Sequence, residues 1–537
     1  MTKDQSARKL PYGRAARSRW RLAVMQGAGL VLATSLAGCM VGPDYRKPEV
    51  QVPQGFKEGA DWQRAEVDPQ AAISSTWWRV YGDDKLNALV EQSLRANQSI
   101  AAAEAAYRVA LAMVQANQAS LFPTVTAGIS GARSGGNLAA LEGGGFGSTG
   151  NRTVNSILAT AAVSWELDLW GQIRREVQEA RANAQASDAQ LAGERISIAA
   201  SVATDYFGLR QADYDIRSLT EQQDIDSQIL AMTQAAFKVG EASNDDVLNA
   251  QQTLQGVIAA LQATETTREQ DEHAIAVLVG VPPASFSIEP DADHPFFAPE
   301  VPTGLPSQLL ERRYDVVSAE RTAAAANEAI GVAKAAFFPT LTLSAEGGYG
   351  NNTFAHLFSL PNRFWTLGPD LAATIFDGGA RTAALKEARA TYDEVVANYR
   401  NTVLTAFQSV EDSLSAVNHL RAQESAYAMV LDSSRRLFAS QQAQFDAGAV
   451  SRQSVLTQRL TLIQAEETLR DTQALLVQSN VLLVKNLGGG WQRDDGAASP
   501  AAASPASSSA AGPSAFASDS PAVPTGPVMP VAQRPAD

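Results

Sequence analysis

The chain is written twice, and that constrains its fold more than any single motif. Phe122-Pro123-Thr124 returns as Phe338-Pro339-Thr340, 216 positions later. A longer set of matches then holds at an offset of 208: Gly171 with Gly379, Glu179-Ala180-Arg181-Ala182 with Glu387-Ala388-Arg389-Ala390, Gly240 with Gly448, Ser243 with Ser451, Val247-Leu248 with Val455-Leu456, and Gly280 with Gly488. The change of register falls in the glycine-rich stretch between Gly135 and Gly150, where a surface loop can lengthen without disturbing a core. Two copies of one structural unit are expected in one chain.

Each copy holds a stretch too long for a globule. Proline is absent from Thr124 to Val281 and from Asp370 to Ser499, and glycine is absent from Ala380 to Ala447. Apolar residues such as Val395, Tyr399, Val403, Phe407, Val410 and Leu414 recur there at helical spacing. From Gly171 to Gly240, and from Gly379 to Gly448, the chain has room for helices of about 100 Å at 1.5 Å per residue. Shorter helices predicted over Asp84–Ala119, Asn244–Val279, Pro306–Ala336 and Arg452–Leu487 would stack end to end beside these rods. Periodicity alone also fits a fibrous coiled coil.

Two stretches in each copy break that pattern. Val125, Ala127 and Ile129 alternate with Thr124, Thr126 and Ser130. Ile157, Ala159, Ala161, Val163, Trp165, Leu167 and Leu169 alternate with Ser164, Glu166 and Asp168. In the second copy Leu341, Leu343, Ala345 and Tyr349 oppose Thr340, Thr342, Ser344 and Glu346, and Leu367, Leu371, Ala373 and Ile375 oppose Thr366, Asp370 and Thr374. These read as two β-hairpins. Strands of about ten alternating residues suit a lipid-facing side and a polar lumen. Four strands cannot close a barrel, and open edges in lipid cost several kcal/mol per unpaired group, so several subunits must share one. Eight strands from a dimer or twelve from a trimer both satisfy this, and either argues against a plain coiled coil.

The N-terminus supplies an address. Lys3, Arg8, Lys9, Arg14, Arg17, Arg19 and Arg21 face a single Asp4, and an apolar run from Leu22 to Leu36 ends in Leu36-Ala37-Gly38-Cys39. A run of about 15 residues is a secretory leader rather than a span of about 20, and its ending resembles the bacterial lipobox. Cys39, the only cysteine, is the expected site of a covalent lipid, and the resemblance to lipoproteins implies that Met40 after it, not being Asp, favours the outer membrane. Losing the leader takes the formal charge from -14 to about -20, which disfavours nucleic-acid binding. Gly145-Phe146-Gly147-Ser148-Thr149-Gly150 fits a dinucleotide pattern but has no helix opening after it. His273, His294, His356 and His419 lie in separate elements without ligand spacing, so neither a metal, another cofactor nor catalysis is expected.

Further motifs carry a family likeness. Val41-Gly42-Pro43-Asp44-Tyr45 with Pro48, Trp77-Trp78 with Asp84 and Leu86, the repeated Phe-Pro-Thr, Trp165-Glu166-Leu167-Asp168-Leu169-Trp170-Gly171 and Ile375-Phe376-Asp377-Gly378-Gly379 resemble the TolC-like outer-membrane efflux factors of the lipid-anchored OprM/NodT type, from Cys39 to Trp491. The resemblance implies a mainly α protein with a transmembrane β part: a homotrimer with a twelve-stranded β-barrel, four strands per subunit, continuous with a twelve-helix periplasmic tunnel and joined by an equatorial belt. It implies a passive duct fed by an inner-membrane transporter of the resistance-nodulation-division class through a periplasmic adaptor. Its alternatives are a type I protein-secretion outlet and a structural lipoprotein with no pore. The expected division is a signal peptide over 1–38, a lipidated and equatorial segment over 39–83, repeats over 84–280 and 306–491, an equatorial linker over 281–305, and an Ala/Ser/Pro-rich tail over 492–537 too poor in apolar residues to fold.

Two sets of site residues follow. Glu166, Asp168, Glu346, Asp370 and Asp377 are expected to face the lumen, either as solvated strand residues or, repeated around a pore, as rings of charge. The turns at Val239-Gly240-Glu241 and Ala447-Gly448-Ala449 are the expected periplasmic tips, where the family meets its adaptor. Asp245 and Asp246 after the first turn and Arg452 after the second are gate candidates through an ion pair between hairpins, with plain capping by Asn244, Asp245 or Ser451 as the alternative. The second tip departs from the family, with Ser454 and Thr457 where an aperture aspartate is frequent.

Overall fold

The structure is a computed structural model that describes residues 40–53, 55–58, 75–136, 152–301 and 312–490. The leader, Cys39, the Gly145–Gly150 loop, the start of the helix expected from Pro306 and the tail over 492–537 lie outside the described residues.

The first repeat runs through α1 (Asp84–Ala96), α2 (Gln98–Ala119), β1 (Thr124–Gly136), β2 (Arg152–Leu167), α3 (Gln172–Lys238) and α4 (Asn244–Leu278). The second runs through α5 (Tyr314–Ala335), β3 (Thr340–Asn351), β4 (Arg363–Ala372), α6 (Ala380–Asp446) and α7 (Arg452–Asn486). The duplication is exact in length where it matters: α3 and α6 have 67 residues each, α4 and α7 have 35, and α2 and α5 have 22. The glycines paired by the sequence also share a backbone conformation, with φ of 80° and 94° at Gly171 and Gly379, 80° and 73° at Gly240 and Gly448, and 75° and 98° at Gly280 and Gly488. Only glycine adopts positive φ at no steric cost, so these residues punctuate both repeats identically.

One expected helix is two. The stretch from Asp84 to Ala119 breaks at Asn97, which takes an extended ψ of 131°. Its side-chain oxygen accepts from the N–H groups of Ser99 and Ile100, at 2.9 and 3.2 Å, and its amide nitrogen donates to the Leu278 carbonyl at 2.9 Å. An asparagine that caps the second piece while pinning the end of α4 offsets the lost turn of helix.

The strands form one antiparallel sheet in the order β1-β2-β3-β4. The largest apolar cluster lies at mid-height on the rods. There Trp77, Trp78, Tyr81, Leu86 and Val90 meet Tyr206, Phe207 and Leu209 of α3, Ile288 and Val301 of the Pro-rich connection, Leu414 of α6, and Val481 and Leu487 at the end of α7. The N-terminal segment, the connection after α4 and the end of α7 thus gather on the two long helices as a collar. Among the described residues no helix is long and apolar enough to cross a membrane.

Candidate functional site

Pairing register sorts the sheet into two faces. Val125, Val163, Ala345 and Leu367 are in one row, and Leu167, Leu341 and Leu371 in another, all on one side. Thr126, Ala162, Glu346 and Thr366 form a row on the other side, as do Glu166, Thr342 and Asp370. Large apolar side chains stand in the open on the first face, with Trp365 and Leu367 each 72% exposed. Such a face needs lipid or a partner to cover it, and β1 and β4 leave unpaired edges within one chain.

Three of the five acidic candidates occupy the polar face: Glu166, Glu346 and Asp370. Asp168 and Asp377 do not, because β2 ends at Leu167 and β4 at Ala372. Alternation continues in the sequence past both ends, but the backbone has already turned toward a helix. Asp168 accepts from the N–H groups of Ile173 and Arg174 and from Arg174 Nε at 2.9 Å. Asp377 accepts from the N–H groups of Gly379 and Arg381 and from Arg381 Nε at 2.6 Å. The Arg381 side-chain bond, followed by the backbone bonds, pulls the Asp377 carboxyl down to about 2. Both are helix-starting anchors, favoured at the positive end of a helix dipole.

The segment after Cys39 is fixed at this junction. Val41 N–H donates to the Trp170 carbonyl at 3.0 Å, Asn327 Nδ2 to the Pro43 carbonyl at 3.0 Å, and Tyr45 OH to Glu320 Oε1 at 2.6 Å. Arg175, 2% exposed, donates to Glu328 at 2.6 Å and to Asp44 at 3.2 Å. Its stem fills the space over Gly331, where a Cβ would come within 2.9 Å of Arg175 Cδ. Nothing in the local sequence marked this helical arginine as buried, since its partners lie on α5 and in the N-terminal segment.

At the far end, Gly240 N–H donates to the Phe237 carbonyl at 3.0 Å and Glu241 N–H to that of Ala236 at 2.9 Å. Gly448 and Ala449 repeat the arrangement on Phe445 and Gln444, both at 2.8 Å. Each return helix is then capped by a serine, Ser243 or Ser451, rather than by Asn244 or Asp245. Asp246 completes a capping box: its carboxylate accepts from Ser243 N–H at 2.8 Å and Oγ at 2.7 Å, and these bonds hold it below the usual carboxylate range. Arg452 stands over the Phe445 ring at 5.9 Å. Among the described residues no ion pair joins Arg452 to Asp245 or Asp246 within the chain. Phe237 and Val239 are exposed on the first tip.

The two hairpins of one chain are tied along α3 and α7. Arg459 grips Glu221 with Nε and Nη2 at 2.7 and 2.9 Å. Further from the tip Ser218 and Gln222 donate to Glu467, and Gln211 donates to Asp215 and Asp471. Burial, then Asp471 and Glu467, pushes the Asp215 carboxyl up to about 7. A raised carboxyl stabilises the fold fully below its unfolded value near 4, and that contribution is lost as pH rises through 7. The melting temperature of wild type should therefore fall between pH 5 and pH 8 by more than that of Asp215→Asn; equal falls would show that this contact is not proton-linked.

A sheet with one apolar and one polar face, open at both edges and continuous with paired helical hairpins about 100 Å long, defines a subunit of an outer-membrane channel. The sequence profile of the outer membrane efflux protein family matches residues 89–281 and 305–489, and the chain belongs to that family. The probable efflux pump outer membrane protein TtgC of Pseudomonas putida is 31% identical over 478 residues, covering 88% of this chain and 97% of its own. The pyoverdine export outer membrane protein OpmQ of Pseudomonas aeruginosa is 31% identical over 436 residues, covering 78% and 88%. Among solved structures, the outer-membrane channel OprN superposes with a TM-score of 0.74 at 27% identity, covering 85% of this chain and all of that one. The open state of the MtrE channel of Neisseria gonorrhoeae superposes with 0.72 at 25%, covering 85% and 99%. The protein is an outer-membrane efflux channel.

Proposed function

We propose that three copies close a twelve-stranded barrel and a periplasmic helical tunnel, and that this trimer is the passive exit duct of a tripartite pump for drugs and other small molecules. An inner-membrane transporter of the resistance-nodulation-division class selects the cargo, and a periplasmic adaptor joins it to the tips at Gly240 and Gly448. The observation that carries the reading is the two-faced sheet with open edges at β1 and β4, which is stable in lipid only when neighbouring copies pair those edges. Names of relatives that export antibiotics, toluene or pyoverdine support small-molecule cargo over protein. A covalent lipid on Cys39 fits the same picture, since Met40, the residue after it, packs on Gly171 just past the end of β2. The test is the complex purified from cells fed labelled palmitate. It should weigh three chains, conduct ions in a planar bilayer, and lose its label in Cys39→Ser. A membrane-inserted monomer or a non-conducting trimer overturns the duct, and unlabelled wild type overturns the anchor alone.

A further inference from the structure

The outer end of the sheet has a chemistry of its own. The connection from β3 to β4 carries two short 3-10 turns, Phe354–His356 and Leu360–Asn362. It is an ordered structure: Leu357 is fully buried beneath it, and Asn362 Nδ2 donates to the His356 carbonyl at 2.7 Å and to Ser359 Oγ at 2.9 Å. Yet Phe354, Phe358 and Leu360 are 63 to 77% exposed. A loop lying across the mouth of a pore would turn them toward water.

Register shows where this loop lies instead. Tyr349 shares a row with Ile129, Ala159 and Arg363 on the apolar, outward face. The Phe358 ring meets Tyr349 edge to face at 5.5 Å. The loop is therefore folded outward, extending the apolar face of the sheet instead of capping its polar one. Arg363 lies on this same face, and so does Arg133, four residues along β1 from Ile129. Both are exposed, and neither makes an ion pair among the described residues. From Thr124 to Gly136 the only charged residue is Arg133, and from Gly347 to Pro369 it is Arg363, in a chain whose formal charge is -14. Positive charge is thus placed above an apolar belt, with Glu166, Glu346 and Asp370 all kept to the other face, and Glu166 and Asp370 to the opposite end as well.

Arg133 and Arg363 belong to opposite edge strands, β1 and β4. Within one chain about three strand spacings, roughly 14 Å, separate those edges. Where β4 of one copy pairs with β1 of the next, the two arginines come to adjacent strands, beside the aromatic loop.

We propose that each seam between subunits binds a phosphorylated lipid of the outer leaflet, with its phosphate on Arg363 of one copy and Arg133 of the next and its acyl chains along Phe354, Phe358 and Leu360. Guanidinium groups grip phosphate with paired charge-assisted bonds, and the apolar loop takes the part of the lipid that phosphate alone lacks. The inference rests on the barrel reading above.

The test adds diphosphorylated lipid A, its dephosphorylated form or inorganic phosphate to the delipidated full-length complex and reads bound lipid by native mass spectrometry. Lipid A should be retained over the dephosphorylated form, with saturation at one lipid per subunit, and inorganic phosphate should not compete at equal concentration. Arg133→Gln combined with Arg363→Gln should lower that retention about tenfold, whereas the paired lysine substitutions should retain most of it and report that the fold is intact. Equal retention of both lipids, or no change in the glutamine variant, overturns the site; if that complex still conducts ions, the duct reading stands without it.

Discussion

Arg175→Leu should loosen α3 from α5 and from the N-terminal segment, the largest stability loss expected from any single side chain described. Arg175 and Glu328 are both buried, 2.6 Å apart, on the first turn of α3 and the middle of α5. Removing Arg175 leaves Glu328 buried without its cation, and removing Glu328 leaves the buried arginine only the exposed Asp44; breaking a buried pair costs about 3–5 kcal/mol, a large share of what holds an ordinary domain together. Arg175→Leu and Glu328→Gln should each cut the yield of assembled channel severely and lower its melting temperature. The double variant Arg175→Met with Glu328→Leu should recover much of the loss, because neither charge then remains. If the double variant is as poor as the sum of its parts, packing of the arginine stem over Gly331 dominates and the ion pair is incidental.

Gly448→Val should nearly abolish export while leaving assembly in place. Gly448 and Gly280 have the same left-handed backbone, with φ of 73° and 75°, but different surroundings. A Cβ on Gly280 would come within 2.5 Å of the Ala96 carbonyl oxygen, whereas at Gly448 nothing lies within 4 Å. A side chain at Gly448 therefore meets only the strain of its backbone, about 1–3 kcal/mol. On the docking proposed above, what changes is the outline of the tip offered to the adaptor. Export of a dye by cells carrying the adaptor and pump should fall at least about tenfold, an energy of about 1.4 kcal/mol at the contact, with normal amounts of complex in the membrane. Gly280→Val should instead reduce the amount of complex. Normal export by the Gly448 variant would remove this turn from the docking site.

Much of this architecture was legible because it depends on periodicity. The 67-residue rods follow from the absence of proline in both stretches and of glycine in the second, and the faces of the sheet follow from alternation, which the pairing register reproduces. The points that escaped are those where a polar residue changes partner without changing pattern. Asp168 continues the alternation of Glu166 but belongs to the next helix, and Asp377 does the same in the second repeat. Asp246, a gate candidate, also closes a capping box with Ser243, a partner that its charge alone does not announce. Asn97 breaks a helix with no proline or glycine to announce it, because its partner at Leu278 is about 180 residues away in the chain.

The order of the sheet also dictates when it can form. β1 with β2, and β3 with β4, are local hairpins, but Leu167 pairs with Leu341, about 170 residues further along the chain. Closing that contact requires α3, α4 and α5 to have folded back on themselves, and the entropy of so long a closure is paid before any lipid-facing surface is complete. The β2–β3 ladder is thus a late step in folding. A nascent chain is therefore expected to carry two separate half-sheets, each too narrow to insert stably, until its helices are packed, so that only a subunit with finished helices presents both edges to its neighbours.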